Sequence, residues 1–249
     1  MSSAADVVIV GAGIAGCEAA WLCSSNDLDV VLVTTSLDTV YTLAHDSALI
    51  TPPEGSLMAS VGGTVDGRVR SWDLHRAVKY ALEARSNVHL LQSTASTVLV
   101  DDAGAAVGIG TWEGVDRLGS HTALCVGSFL RARLTSGAVT ETQGRLSEMA
   151  YDDLYHWLAG AGFAFVDARF VAEPVGGSLG YTVDTAVLAA AERLTSDSAR
   201  LARVGRLWAA GACIEGSPSG SGGAGPTYDS AVRDGLALGR ELVAAVRRA

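Results

Sequence analysis

Apolar residues in this chain come in short unbroken runs separated by helical stripes, the rhythm of a parallel sheet buried on both faces. The first run, Val7-Val-Ile-Val10, passes through Gly11-Ala-Gly13-Ile-Ala-Gly16 into a stripe that predicts a helix from Ile14 to about Cys23. A polar Ser24-Ser-Asn-Asp turn ends that helix, and Leu28 to Thr35 reads as the second parallel strand. Ser36 to Val69 has no period and is rich in Gly, Pro, Ser and Thr, so it is expected to be a structureless functional loop. Trp72 to Ala84 predicts a helix capped by Asp73, and Val88 to Gln92 a strand. From Thr97 the pattern alternates around Asp101-Asp-Ala-Gly104 as a hairpin does, and Gly110 to Ser120 continues it, which places an antiparallel meander at about 97–120. Thr122-Ala-Leu-Cys-Val-Gly127 then returns as a separate parallel-type strand. The stretch of about 140–202 is the least patterned, with a helix expected at Tyr151–Ala161, a strand at Phe163–Phe170, a loop at Glu173–Tyr181 and a helix at Ala186–Leu194. Gly205 to Gly211 is a closing strand, a Gly/Ser/Pro loop follows, and Tyr228 to Arg248 forms an amphipathic helix.

The opening turn carries the most specific chemistry. In Gly11-x-Gly13-x-x-Gly16, the first glycine permits the tight turn, the second lets backbone approach a pyrophosphate, and the third lets helix and strand pack closely. The helix N–H groups and dipole aim at the turn and favour a diphosphate, so a dinucleotide is expected there. An Asp or Glu at the end of the second strand usually accepts the ribose 2′-OH; here Thr34 and Thr35 stand in that place, which argues against an ordinary NAD dehydrogenase. Gly220-Ser-Gly222-Gly-Ala-Gly225 matches the same pattern but is not expected to be a second site, because Pro226 and a long loop separate it from its strand. Its role is instead to bring the last helix's N-terminus near a ligand, where backbone amides meet developing negative charge.

Composition narrows the function further. With 249 residues, 49% hydrophobic and 18% charged, the chain is globular and is read as one domain over 1–249. A net charge of −9 argues against autonomous nucleic-acid binding; Arg68-Val-Arg70 reads as a local basic strip or a solvated face. The first apolar run leads straight into the glycine turn with no basic leader, and no run reaches the ~18 residues of a spanning helix. A cytoplasmic protein without a membrane partner is therefore expected. Cys17, Cys23, Cys125 and Cys213 form no C-x-x-C pair and have no His at ligand spacing, so no metal site is expected. Cys213 reads as a redox thiol or as a core residue. His45-Asp46 reads as an acid/base pair or as a solvated pair on the loop. No catalytic residue is assigned.

A meander inserted before a strand ending in Val126-Gly127 is the layout of flavin-binding folds. The expected class is α/β, a Rossmann-like FAD-binding three-layer fold with a parallel sheet and a small antiparallel meander. Asp6-Val-Val-Ile-Val-Gly-Ala-Gly-Ile-Ala-Gly-Cys-Glu-Ala-Ala20, with Val31-Leu-Val-Thr-Thr-Ser-Leu-Asp-Thr39, resembles the FAD domain of the glucose-inhibited division protein A (GidA-like) family, including the Thr in place of the ribose acid. Ala77 to Gln92, Val98-Leu-Val100, Ala123 to Leu130, Leu207 to Gly211, Thr227 to Ala231 and Gly235 to Gly239 resemble further segments of it. The family is the flavoprotein half of a tRNA wobble-uridine modification system. Its Cys-Asn-Pro-Ala-Ile-Gly-Gly loop is replaced here by Leu43-Ala-His-Asp-Ser-Ala-Leu-Ile-Thr-Pro-Pro53. An insertion for reduced nicotinamide and a long helical C-terminal region are not found, which implies a stand-alone FAD-domain form.

The resemblance implies FAD as cofactor and an FAD-dependent oxidoreductase, or else a non-catalytic FAD-binding module or a subunit of a tRNA-modifying assembly. It places Gly11, Ala12, Gly13, Ile14, Ala15 and Gly16 at the pyrophosphate, Thr34, Thr35 and Ser36 at the ribose, and Ala95 at adenine. Gly127, Gly211 and Ala212 fall along the ribityl region, and Tyr228 and Asp229 near the isoalloxazine. Reduced nicotinamide as electron donor, and a homodimer or other protein partner, are open expectations.

Overall fold

The computed structural model describes residues 4–43, 48–49, 52–62, 64–65, 68–172, 179–216 and 228–248. In chain order the elements are β1 (Ala5–Val10), α1 (Ile14–Ser24), β2 (Val30–Thr34), β3 (Ala48–Leu49), α2 (Leu57–Val61), β4 (Thr64–Val65), β5 (Arg68–Val69), α3 (Ser71–Glu83), β6 (Val88–Gln92), β7 (Ala95–Val100), β8 (Ala106–Thr111) and β9 (Asp116–Leu124). A 3-10 turn at Gly127–Phe129 leads to β10 (Arg133–Ser136), β11 (Val139–Glu141), β12 (Gln143–Arg145), β13 (Glu148–Met149), α4 (Asp152–Gly160), β14 (Phe165–Ala172) and β15 (Tyr181–Leu188). A second 3-10 turn at Ala190–Glu192, β16 (Leu207–Ala209) and α5 (Tyr228–Val246) complete the described chain.

The β-branched runs form the centre of the main sheet. β1 pairs in parallel with β2 and β9, β2 with β6, and β9 with β16. Successive β1 side chains point to opposite faces: Val7 and Ile9 enter a core covered by α1, α3 and α5, whereas Val8 and Val10 enter one covered by the meander and α4. This gives the α/β, Rossmann-like three-layer arrangement with its antiparallel meander. One expectation is corrected here: Gly110–Ser120 and Thr122–Gly127 are not separate strands. β9 runs unbroken, pairing antiparallel with β8 at Arg117 and parallel with β1 at Thr122. Gly119 opens the parallel pairing, opposite Ala5, and a Cβ there would come within 2.7 Å of Val8 Cγ2.

Three further differences have physical causes. The stretch 36–69 is not structureless; it holds α2 and the small antiparallel sheet β3-β5-β4. Ala186–Leu194 is not an α-helix: Ala186–Leu188 end β15 and pair with β14, non-local bonds that override helical propensity, and only a 3-10 turn forms at Ala190–Glu192. β15 belongs to a second sheet, β11-β10-β15-β14. Asp73 is in the first turn of α3, where its charge suits the helix dipole, but the N-cap is Arg70 and makes no side-chain cap bond. His45-Asp46 and Gly220–Gly225 lie outside the described residues. Among the described residues no helix is long and apolar enough to cross a membrane.

Candidate functional site at the C-terminal edge of the sheet

Because the five central strands are parallel, their C-terminal ends open onto one edge. β1 has its sequence neighbour β2 on one side and the later strand β9 on the other, which is the kind of switch point where α/β sheets bind ligands. Backbone bonds lace this edge: Gly11 N donates to Val33 O at 2.7 Å, Cys125 N to Val10 O at 2.7 Å, Ala210 N to Leu124 O at 3.0 Å, and Ser93 N to Thr34 O at 2.8 Å.

The three turn glycines differ in their surroundings. Gly11 has φ +102°, and a Cβ there would lie 2.3 Å from Cys125 O; a Cβ on Gly16 would lie 1.9 Å from Gly11 O. Both are demanded by the fold itself. Gly13 has φ −73° and ψ −174°, ordinary extended backbone, and a Cβ would meet nothing within 4 Å. Its bareness therefore serves the space in front of it. Gly13 caps α1 without any side-chain bond, and the first turn of α1, with Ile14, Ala15 and Gly16, carries no acid to repel an anion.

The other expected residues gather at the same edge. Thr34 ends β2, and its hydroxyl donates to Ser36 O at 3.3 Å. Thr35 is near the Tyr151 hydroxyl, whose pKa burial pushes up. Ala95 is buried at the start of β7; Gly127, at φ +54°, follows β9, and Gly211, at φ +78°, with Ala212 follows β16. α5 runs parallel to α1, since Gly235 packs on Ala15 and Glu18, Gly239 on Leu22, and Arg247 bonds Asn26 at 3.1 Å. Tyr228, seven residues before Gly235, thus reaches about 10 Å further toward the glycine-turn end. Beside it, Asp229 keeps a buried Oδ1 without a hydrogen-bond partner among the described residues.

Glu18 was not singled out by the sequence, although a carboxylate between Cys17 and Ala19 on an otherwise apolar stripe is a signal. It is fully buried on α1 and accepts from Leu57 N at 2.7 Å, from Met58 N at 3.1 Å and from the Tyr41 hydroxyl. Burial raises its pKa, against the lowering effect of those three bonds. Tyr41 N in turn donates to Ala12 O at 2.9 Å, and His75 Nδ1 lies 2.6 Å from Val40 O. The chain after β2 is thereby strapped across the glycine turn. Cys213 is a core residue: its buried thiol donates to Ala210 O at 3.3 Å and Leu124 O at 3.4 Å, and burial pushes its pKa up to about 11. No group of His, Cys, Asp and Glu among the described residues is able to hold a metal.

A glycine turn at a parallel switch point, an antiparallel meander against one face and a closing helix parallel to the first define a dinucleotide-binding α/β protein of the flavoprotein class. The family described as Glucose inhibited division protein A matches residues 6–69 and 64–172, and the chain belongs to that family. It is 34% identical to the GidA-related protein from Thermus thermophilus, over 98% of this chain and 100% of that one, with a TM-score of 0.84. Aquifex aeolicus GidA shares the fold at 13% identity, with a TM-score of 0.82 over 99% of this chain and 66% of that one. Over 186 residues, 64% of this chain, it is 28% identical to the tRNA uridine 5-carboxymethylaminomethyl modification enzyme MnmG of Chlamydia trachomatis serovar A. The aligned part spans 30% of that enzyme's length. Members of the family are FAD-binding flavoproteins, and this chain is an FAD-binding GidA-related protein. The bare turn at Gly13 and the acid-free N-terminus of α1 fit its diphosphate.

Proposed function

We propose that this chain is an FAD-dependent oxidoreductase of the GidA-related type, folded as one domain over 1–249. The observation that carries the reading is the convergence, at one sheet edge, of five strand ends and the N-termini of two parallel helices. Gly11 makes the turn, and the amides that follow it, from Ala12 to Gly16, hold the pyrophosphate, where the dipole of α1 offsets its charge. Thr34, Thr35 and Ser36 line the ribose and the Ala95 backbone the adenine. Gly127, Gly211 and Ala212 let the ribityl chain pass close to backbone, and Tyr228 and Asp229 stand by the isoalloxazine. When bound, FAD supplies the redox chemistry. The residues orient it, and Tyr41, Leu57 and Met58, bonded to Glu18, brace the chain beside the turn.

Reduced nicotinamide is the proposed electron donor, and the cytoplasm the proposed location. Anaerobic addition of NADH or NADPH to the yellow protein tests the catalytic reading; bleaching of the flavin absorbance supports it, and a flavin inert to both argues for a binding module. That second reading draws support from the curated relatives, which carry tRNA uridine 5-carboxymethylaminomethyl modification in their names and are far longer than the stretch matched here. A subunit role in such an assembly predicts altered wobble-uridine nucleosides in a deletion strain, and an unchanged profile rejects it.

A further inference from the structure

At the end of β2, where a dinucleotide's ribose lies, the usual acceptor is a carboxylate, and this chain offers two threonines. The Thr34 hydroxyl is not idle, since it donates its proton to Ser36 O. A carboxylate nevertheless stands at this corner, brought by the meander. Glu113, in the turn between β8 and β9, has both carboxylate oxygens 2.7 Å from Ser93 Oγ. Ser93 is buried, and its own N–H donates to Thr34 O at 2.8 Å, so Glu113 is one serine removed from the strand end that lacks an acid.

The turn that presents Glu113 is fixed on both sides. Trp112 N donates to Thr94 O at 3.0 Å, Gly114 N to Thr111 O at 2.9 Å, and the Thr111 hydroxyl to Val115 O at 2.7 Å. The carboxylate is exposed, and the Ser93 hydrogen bond first of all holds it below the ordinary glutamate range, so it is anionic at neutral pH. A single serine proton shared by two oxygens leaves lone pairs on both for further donors.

We propose that Glu113 accepts the adenosine ribose hydroxyls of bound FAD, supplying from the meander the acid that β2 does not carry. The inference rests on the FAD reading and deepens it: Glu113 becomes a residue that selects a free ribose diol and disfavours a phosphorylated one by charge repulsion. Titration calorimetry on the full chain tests it with two ligands, FAD and an analogue whose adenosine 2′- and 3′-hydroxyls are replaced by hydrogen. Wild type should bind the analogue about tenfold more weakly than FAD, the effect of one charge-assisted hydrogen bond. Glu113→Ala should bind FAD about tenfold more weakly than wild type and no longer tell the two ligands apart. Glu113→Gln, isosteric and neutral, should fall between and guard against a folding artefact. An alanine variant that binds FAD within twofold of wild type, or that still discriminates the analogue, overturns the proposal. A wild type that binds neither ligand overturns the cofactor reading instead.

Discussion

A valine at Gly13 separates what the ligand demands from what the fold demands. The backbone there suits any residue and a Cβ would meet only open space, so Gly13→Val should leave the melting temperature within a few degrees of wild type and abolish FAD retention. Gly11 and Gly16 should behave differently, because a Cβ at either collides with backbone in the empty protein. Glu18 offers a second residue-scale test. Glu18→Gln puts an amide donor among three donors, and leaving one of them unsatisfied costs about 1–3 kcal/mol, read as a lower urea midpoint. Its pKa is raised in the folded state, so the folded protein binds the proton more tightly than the unfolded chain does. The associated stability is complete below the ordinary carboxylate pKa and is lost as pH rises through the raised value. The urea-midpoint advantage of wild type over the non-titrating Gln variant should therefore narrow as pH rises, and a gap that widens contradicts the assignment. The sequence displays the glycines plainly because their spacing is local. The partners of Glu18 lie at Tyr41, Leu57 and Met58, in a stretch whose hydrophobic pattern shows no period, so its role waited on the fold.

Among the elements, the pairing of α1 with α5 brings two helix N-termini to one side of the sheet. Gly235 sets their approach, since a Cβ there would come within 2.4 Å of Ala15 O and 2.6 Å of Glu18 Cβ. Gly235→Val should push the helices apart, lowering stability by about 1–3 kcal/mol and weakening FAD binding together, as measured by denaturant melts and calorimetry on one sample. Unchanged values for both would mean that α5 does not close the site. α5 was legible from its 3.6-residue periodicity and α1 from the glycine turn and the polar turn that bound it, while β1, β2, β6, the meander hairpin and β16 were legible from their apolar or alternating runs. The continuity of β9 was hidden because one strand serves a parallel and an antiparallel partner, and its pattern changes midway. β15 was missed because its last residues belong to Ala186–Leu194, which has helical composition, while the strand is held by β10 and β14, both earlier in the chain. Local propensity loses wherever the deciding hydrogen bonds are long-range.

For the whole molecule, the three-layer fold and membership of the Glucose inhibited division protein A family agree with a site formed where the sheet reverses order. The net charge of −9 adds that any approach to a polyanion would need a partner or a local basic surface. The central claim is that the edge around Gly11, Gly13 and Gly16 holds one FAD. Titration of FAD into flavin-stripped protein, followed together by calorimetry and by the visible flavin spectrum, tests it most directly. Saturable binding of one FAD per chain, with a Kd near or below about 1 μM and a yellow complex lost in Gly13→Val, is the predicted result. A colourless protein that releases no heat with FAD, or a Gly13→Val variant as yellow as the parent, would contradict it.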